Sequence, residues 1–242
     1  MSMNSIKEAF PEFPKPSVAI DTVVLRVKDI SAKSNKHVAL KQLQVLLIKE
    51  KGTSTWHLPG TILRLGETPL NAIDRIMQNK VSVNEVYFEQ LYTVADNPER
   101  DERGHIISMV YIGILKNGDD MIVYDQDRYD AAWALVEKTA GNDTRTLYLE
   151  ETDEKIGSLL YDHDKIISDS INRLKGKLLY TDIGFHFMEE KFTIKELENC
   201  FNAVNERVIP GFRRVIKNKV VGTEEISDDK AFRPAELFIK KE

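Results

Sequence analysis

Two runs dense in Val, Ile and Leu, residues 18–27 and 42–49, limit the fold more than anything else in this chain. Both read as buried strands, so the protein has to be built around a sheet. A helix start follows: after the turn at Gly66, Thr68 can cap exposed backbone N–H groups and Pro69 suits the first helical position. Leu70, Ile73 and Met77 then share one face, which predicts a helix to about Lys80. Short extended pieces at 56–59 and 62–64 flank Pro59-Gly60, and strands are expected at 86–94 and 106–115, joined by the charged loop 96–105. Asn117-Gly118 reads as a turn and 121–124 as a short strand. Residues 125–155 are polar with short apolar patches, of which 146–149 reads as a late strand. A helix is expected at 164–174. Strands, helix, strands, helix make a mixed α/β fold.

Past Gly176 the texture changes. Residues 177–188 read as a linker or docking segment, and Thr193 with Glu196 three residues on is a capping box. Leu197, Phe201 and Val204 form the stripe of the helix it opens. A break at Ile209-Pro210 precedes a second helix at 211–218, in which Phe212, Val215 and Ile216 are expected to face inward. Strands at 220–226 and 235–239 then surround a polar tip at 227–230. The chain therefore divides into a tail at 1–16, an α/β domain at 17–158, a connecting helix and docking segment at 159–190, and a helix-helix-hairpin domain at 191–242.

With 42% hydrophobic residues the chain can fill proper cores. No apolar run approaches the roughly eighteen residues that cross a bilayer, and the start lacks the basic-then-apolar pattern of a secretion signal. A cytoplasmic protein without membrane partners is expected. The lone cysteine, Cys200, sits between apolar neighbours and is expected in the core, so neither a disulfide framework nor a cysteine metal cluster can form. A net charge of −5 argues against nucleic acid, but residues 191–242 hold 11 Lys and Arg against 9 Asp and Glu, which leaves −7 on residues 1–190. Residues 207–219 carry five bases and no acid. Such runs are commonly solvated helix faces, so the charge alone does not establish a DNA reader.

The stretch WHLPGTILRLGETPLNAIDRIMQNKVSV, residues 56–83, resembles a Nudix box, with the opening glycine of that pattern at Thr61, its first glutamate at Glu67 and its arginine at Arg75. The three helix carboxylates of the pattern fall on Ile76, Asn79 and Lys80, and its closing glycine on Ser82. Positions i, i+3 and i+4 share a helix face, so three glutamates there gather oxygens for a hard divalent cation that activates water. Here that face offers an isoleucine, an amide and an ammonium, and the residues do not build the site. No catalytic and no metal-binding residue is assigned, and no cofactor is required. Mg²⁺ enters only if hydrolysis survives through displaced ligands such as Asp74, Glu85 or Glu89.

In order along the chain, AIDTVVL, LQVLLIKE, LPGTILRLGE, FEQLYTV and RDERGHIISMVYIGIL resemble the sensor domain of NrtR-type Nudix-related transcriptional regulators. SLLYDHDKIISDSINRLKGKL resembles the interdomain helix of that family, and FTIKEL with GFRRVIKN its winged-helix signature, so the resemblance spans residues 20–240. It implies a Nudix-like α/β/α sandwich followed by a winged helix-turn-helix, an operator-DNA partner, a two-fold homodimer, and an effector of the ADP-ribose-like nucleotide or sugar class. In such a reader the second helix enters the major groove and the hairpin wing lies on the backbone. Arg213 and Arg214 are expected to read bases, with Lys217, Lys219, Lys195 and the wing residues Lys230 and Arg233 on phosphates. Lys230 and Arg233 can equally be solubilising residues of a hairpin tip. Arg64, Arg100 and Arg103 can meet phosphates of the effector, and Glu67 can accept from a sugar hydroxyl or cap the turn. Each of these four can equally be a surface or structural residue. Trp56 and Tyr92 can stack a base, but suit core packing better. Three function classes follow: a ligand-responsive regulator, a residual pyrophosphohydrolase, and a silent nucleotide-binding scaffold.

Overall fold

A computed structural model describes residues 15–30, 40–83, 85–116, 122–227 and 234–241. The turn expected at Asn117-Gly118 lies outside them. The two apolar runs form β1 (Ser17–Ile30) and β2 (Leu40–Glu50), followed by β3 (Gly60–Ile62), helix α1 (Pro69–Asn79), β4 (Val81–Ser82), β5 (Val86–Val94), β6 (Ile106–Leu115) and β7 (Val123–Tyr124). Then come β8 (Tyr129–Lys138), β9 (Arg145–Leu149), α2 (His163–Leu178), a 3-10 turn (Ile183–Phe187), α3 (Ile194–Asn205), α4 (Phe212–Ile216), β10 (Val220–Ile226) and β11 (Glu236–Lys240). The large sheet runs β5-β6-β1-β2-β8-β9 with β3 beside the start of β1. It is mixed: β1 and β6 are parallel, every other pairing antiparallel.

Side chains alternate across this sheet, so one register serves two cores. Val23, Leu25 and Val27 of β1 face α2, while Ile20 and Val24 face the side of α1. The mixed α/β sandwich expected from sequence is therefore present. Two strands are not signalled by the sequence, the two-residue β4 and the longer β8, which lies between β2 and β9 with Trp133 and Ala134 buried. Its text, YDAAWALVEK, is rich in Ala and carries charges at both ends, so neither β-propensity nor alternation marks it.

Residues 159–190 are built into this core. Ile166, Ile167, Ile171, Leu174 and Leu178 of α2 are buried against the sheet, and the 3-10 turn inserts Phe185 and Phe187 beside them. The same apolar cluster continues through Leu197, Phe201 and Val204 of α3, which lies on β1 and β2, to Phe212 and Ile216 of α4. Gly184 permits the approach, since a Cβ there would sit 2.6 Å from the Phe201 ring. Cys200 is buried in this cluster, and burial pushes its thiol up to about 12.

A charged clamp adds direction to this apolar contact. Glu206, in left-handed conformation (φ 57°) at the end of α3, accepts two bonds of 3.0 Å from Arg145 of β9 and one of 2.7 Å from Lys175 of α2. Arg145 also reaches Asn172 at 2.8 Å, and its side chain is 1% exposed. Burial pushes the Glu206 carboxyl up, but the bonds from Lys175 and Arg145 outweigh it and hold the group below the usual range. Its contribution is therefore present at neutral pH and lost as the carboxyl protonates in acid. Glu206→Gln leaves two cations without their counterion, and a loss of about 3 kcal/mol is expected in urea unfolding at pH 7. The gap between variant and parent should narrow below about pH 4.5, the ordinary carboxylate region; a gap independent of pH down to the acid transition would refute the clamp.

Candidate functional site

At the end of the sheet where β1 meets β3, a cavity of about 190 Å³ is walled by β1, β3, the loop before β6 and the approach to α2. Its polar residues are partnered from below. Asp21 accepts from the Ser108 hydroxyl, and Thr22 donates to the Pro59 carbonyl at 2.7 Å. His163 accepts the Leu58 N–H on Nδ1 at 3.0 Å, which puts the ring proton on Nε2, 3.8 Å from Asp21. Burial drives the pKa of His163 down, so it sits neutral in the wall. Nε2 of His57 lies 2.9 Å from Glu50. Burial pushes the Glu50 carboxyl up, and the charge and hydrogen bond of His57, with Lys80 beyond, bring it below its ordinary value.

Of the four residues expected at the effector, Arg100 and Arg103 line this cavity. Arg100 is held by both oxygens of Asp162 at 2.8 and 2.5 Å, ahead of α2. Arg103 is gripped by Asp101 at 2.9 and 2.6 Å, and its guanidinium lies 4.4 Å from the centre of the Tyr161 ring. Arg64 is exposed and lines a second cavity, of about 360 Å³, over the box helix. Glu67 lines neither: its oxygens accept from Arg75 at 2.8 Å each and from the Arg64 N–H at 2.8 Å, and Arg75 holds the carboxyl down at about 2. Of the two roles open to Glu67, this is the turn-capping one. Trp56 and Tyr92 pack on the core, Tyr92 donating to the Ile166 carbonyl at 3.3 Å.

The box helix is capped as expected, Thr68 accepting from the Asn71 N–H at 3.2 Å. Ile76 is buried with Ile20, Ala72, Ile73 and Tyr111, and the Asn79 amide donates back to the Arg75 carbonyl at 2.9 Å. The divalent cation that a Nudix box implies does not fit these side chains, whose only charge is the Lys80 ammonium. Displaced carboxylates do not replace them. Asp74 is exposed, Glu85 lies 3.7 Å from Lys116, and Glu89 bonds Lys177 and the Tyr87 hydroxyl. Among the described residues no three His, Cys, Asp or Glu side chains converge as a metal site.

In the C-terminal domain the capping box forms, with Thr193 and Glu196 bonding reciprocally, and Phe192 pairs with Phe238 of β11 so that the hairpin is tied to the front of α3. Gly211 precedes α4 at φ 65°, the left-handed region that glycine enters at little cost. Arg213, Arg214 and Lys217 are exposed, and no hydrogen bond or ion pair engages their side chains among the described residues. Two corrections are needed. Val215, expected inside, is 38% exposed, because a helix of five residues buries only Phe212 and Ile216. Lys219 turns inward and donates to the Thr181 carbonyl at 2.7 Å, so it fastens the wing to the 3-10 region instead of facing a phosphate. Lys195 is exposed but pairs with Glu198 at 3.1 Å. Lys230 and Arg233 lie outside the described residues.

Residues 184–239 match the NrtR DNA-binding winged helix domain family. The chain is 24% identical over 237 residues to the ADPR responsive transcriptional repressor NtrR of Acinetobacter baylyi, covering 94% of this chain and 83% of that protein. Over 113 residues, 43% of this chain and 57% of the relative, it is 34% identical to an ADP-ribose pyrophosphatase of Methanocaldococcus jannaschii. The crystal structure of Shewanella oneidensis NrtR complexed with a 27mer DNA superimposes with a TM-score of 0.63 at 23% identity, over 93% of each chain. That superposition shows the fold over 93% of the chain, α/β sandwich and winged helix together.

The neutral His163 gives a test of the cavity wall. Its folded pKa lies below that of the unfolded chain, so stability is complete above about pH 6.5 and falls as the pH drops and the unfolded state takes up a proton. Urea midpoints measured at pH 7.5 and 5.5 should be separated in the parent and closer together in His163→Gln. An undiminished separation in the variant would show that another group titrates.

Proposed function

We infer that this chain, whose C-terminal domain is of the NrtR winged-helix family, is a ligand-responsive DNA-binding transcription regulator. Its Nudix-like domain senses an ADP-ribose-like nucleotide or a related phosphorylated sugar without hydrolysing it. One observation carries this reading: a DNA-reading helix with three unengaged cations stands behind a Nudix-type sandwich whose box helix offers no carboxylate. The named relatives, a repressor responsive to ADPR and an ADP-ribose pyrophosphatase, point to the ligand class.

Two copies related by a two-fold axis would place two α4 helices one DNA turn apart, which matches a palindromic operator and multiplies affinity. A protein acting on operator DNA works in the cytoplasm. Signal transfer needs only a change in the tilt of α4. Helix α2 suits that task. Its first residue, His163, lines the first cavity, Asp162 just ahead of it holds Arg100 there, and its last turns, through Lys175, hold Glu206 of the DNA-reading domain. A ligand that engages Arg100 competes for Asp162 and pulls on the near end of a rod of sixteen residues, about 24 Å long.

Fluorescence anisotropy with DNA from upstream of the chain's own gene tests the reading. Arg213→Ala or Arg214→Ala should weaken specific binding by about 10- to 100-fold, as loss of a bidentate guanine contact does. Lys217→Ala should weaken all sequences alike and lower the salt slope by about one. ADP-ribose should release the DNA without being consumed in Mg²⁺. Absence of DNA binding at every salt and ligand condition defeats the regulator, and steady turnover of ADP-ribose favours the hydrolase.

A further inference from the structure

Lys80 stands where the family pattern has a metal ligand, and it carries the opposite charge. Its ammonium is half-buried at the end of α1, 5.5 Å from the centre of the Tyr129 ring. Among the described residues it has no hydrogen bond and no ion pair. Desolvation lowers its pKa, and the nearest acids, Glu50 and Asp21, are committed to His57 and Ser108. A desolvated ammonium that has only the through-space attraction of Glu50 and Asp21, and no hydrogen bond or direct ion pair among the described residues, is left with room for an anionic partner from outside the chain.

The lining of the second cavity points to the charge of that partner. This cavity is lined by Arg64, Arg75, Lys80 and Arg128 and, among the described residues, by no acidic side chain. Arg75 is spent on Glu67, whereas the guanidinium groups of Arg64 and Arg128 are exposed and bonded to no carboxylate among the described residues. Three cations around one cup repel a metal ion and attract an oxyanion. Thr61 and Lys80 line both cavities, so a ligand can rest its anionic part in the cup and extend toward Arg103 and Tyr161 in the first.

We propose that this cup is a phosphate site in which the Lys80 ammonium, flanked by Arg64 and Arg128, replaces the divalent cation and holds the diphosphate of the effector without metal. The identity of the effector rests on the regulator reading; the anion site does not. The fold thus keeps a diphosphate-binding place and exchanges its Lewis acid for a fixed cation that binds the same oxygens and cannot activate water.

Inorganic pyrophosphate and ADP-ribose are titrated calorimetrically into the full chain, in EDTA and in Mg²⁺. Pyrophosphate should bind in EDTA at least as tightly as in Mg²⁺. Lys80→Met should weaken it by about tenfold or more, the loss of one charge-assisted bond, while raising the melting temperature of the unliganded protein, because an unpaired charge leaves the interior. Lys80→Arg should restore most of the affinity. Arg128→Gln, at an exposed position, should weaken binding in the same direction and serves if Lys80→Met folds poorly. Binding that requires Mg²⁺, no pyrophosphate binding in EDTA, or equal affinity in parent, Lys80→Met and Arg128→Gln overturns the site. Lys80-dependent pyrophosphate binding with no response to ADP-ribose upholds the site and removes ADP-ribose as effector.

Discussion

Phe187 and Phe201, both essentially inaccessible to water, join the sheet to the DNA-reading helices through one unbroken apolar interior. Each such ring contributes on the order of 2–3 kcal/mol by leaving water. Because α3 rests on β1 and β2 directly, the second domain is no bead on a string. Movement of α4 relative to the sensor must come from tilting packed layers, for which small shifts at a cavity wall suffice. The Glu206 clamp supplies what apolar contact lacks, a fixed direction, since bidentate bonds from Arg145 tolerate little rotation.

Charge is arranged by the same economy. Arg26 is buried and bonded to Gln44 and Glu150, Arg145 to Glu206, and Arg100 to Asp162, so these interior cations are compensated locally. Among the described residues two clusters of cations lack a carboxylate partner: Arg213, Arg214 and Lys217 on the surface of α4, and Lys80 with Arg64 and Arg128 around the box helix. Both can receive an anion: in the function inferred above the first meets a polymer of phosphates, and in the proposed site the second meets a small diphosphate. The chain is acidic overall, which disfavours non-specific association with phosphates away from its cationic clusters.

Several features were legible in the sequence because their cause is local. The Thr193 and Glu196 capping box, the Thr68-Pro69 helix start and the apolar runs of β1 and β2 each depend on neighbours within a few residues, and each formed where expected. β8 escaped notice because its strand character comes from pairing with β2 and β9, more than eighty residues away in one case. Lys219 and Val215 face other than expected for a related reason: the helix that contains Val215 and precedes Lys219 is too short for periodicity to fix which side faces inward. The double grip of Glu67 on Arg75 was hidden in the same way, since nothing in a spacing of eight residues across a helix start says that the two will meet.

By itself the sequence determined most of the order of elements, with β8 the main exception, and the absence of carboxylates from the box helix, since these are properties of residue identity and near-neighbour pattern. Only the tertiary structure decided which charges are spoken for. It consigned Glu67 and Lys219 to holding the fold, tied Arg100 to Asp162, and left Lys80, Arg128 and Arg64 facing one cup. A side chain's freedom to meet a ligand depends on what distant segments bring within bonding distance, and that is set by packing and not by the residue's own position in the chain.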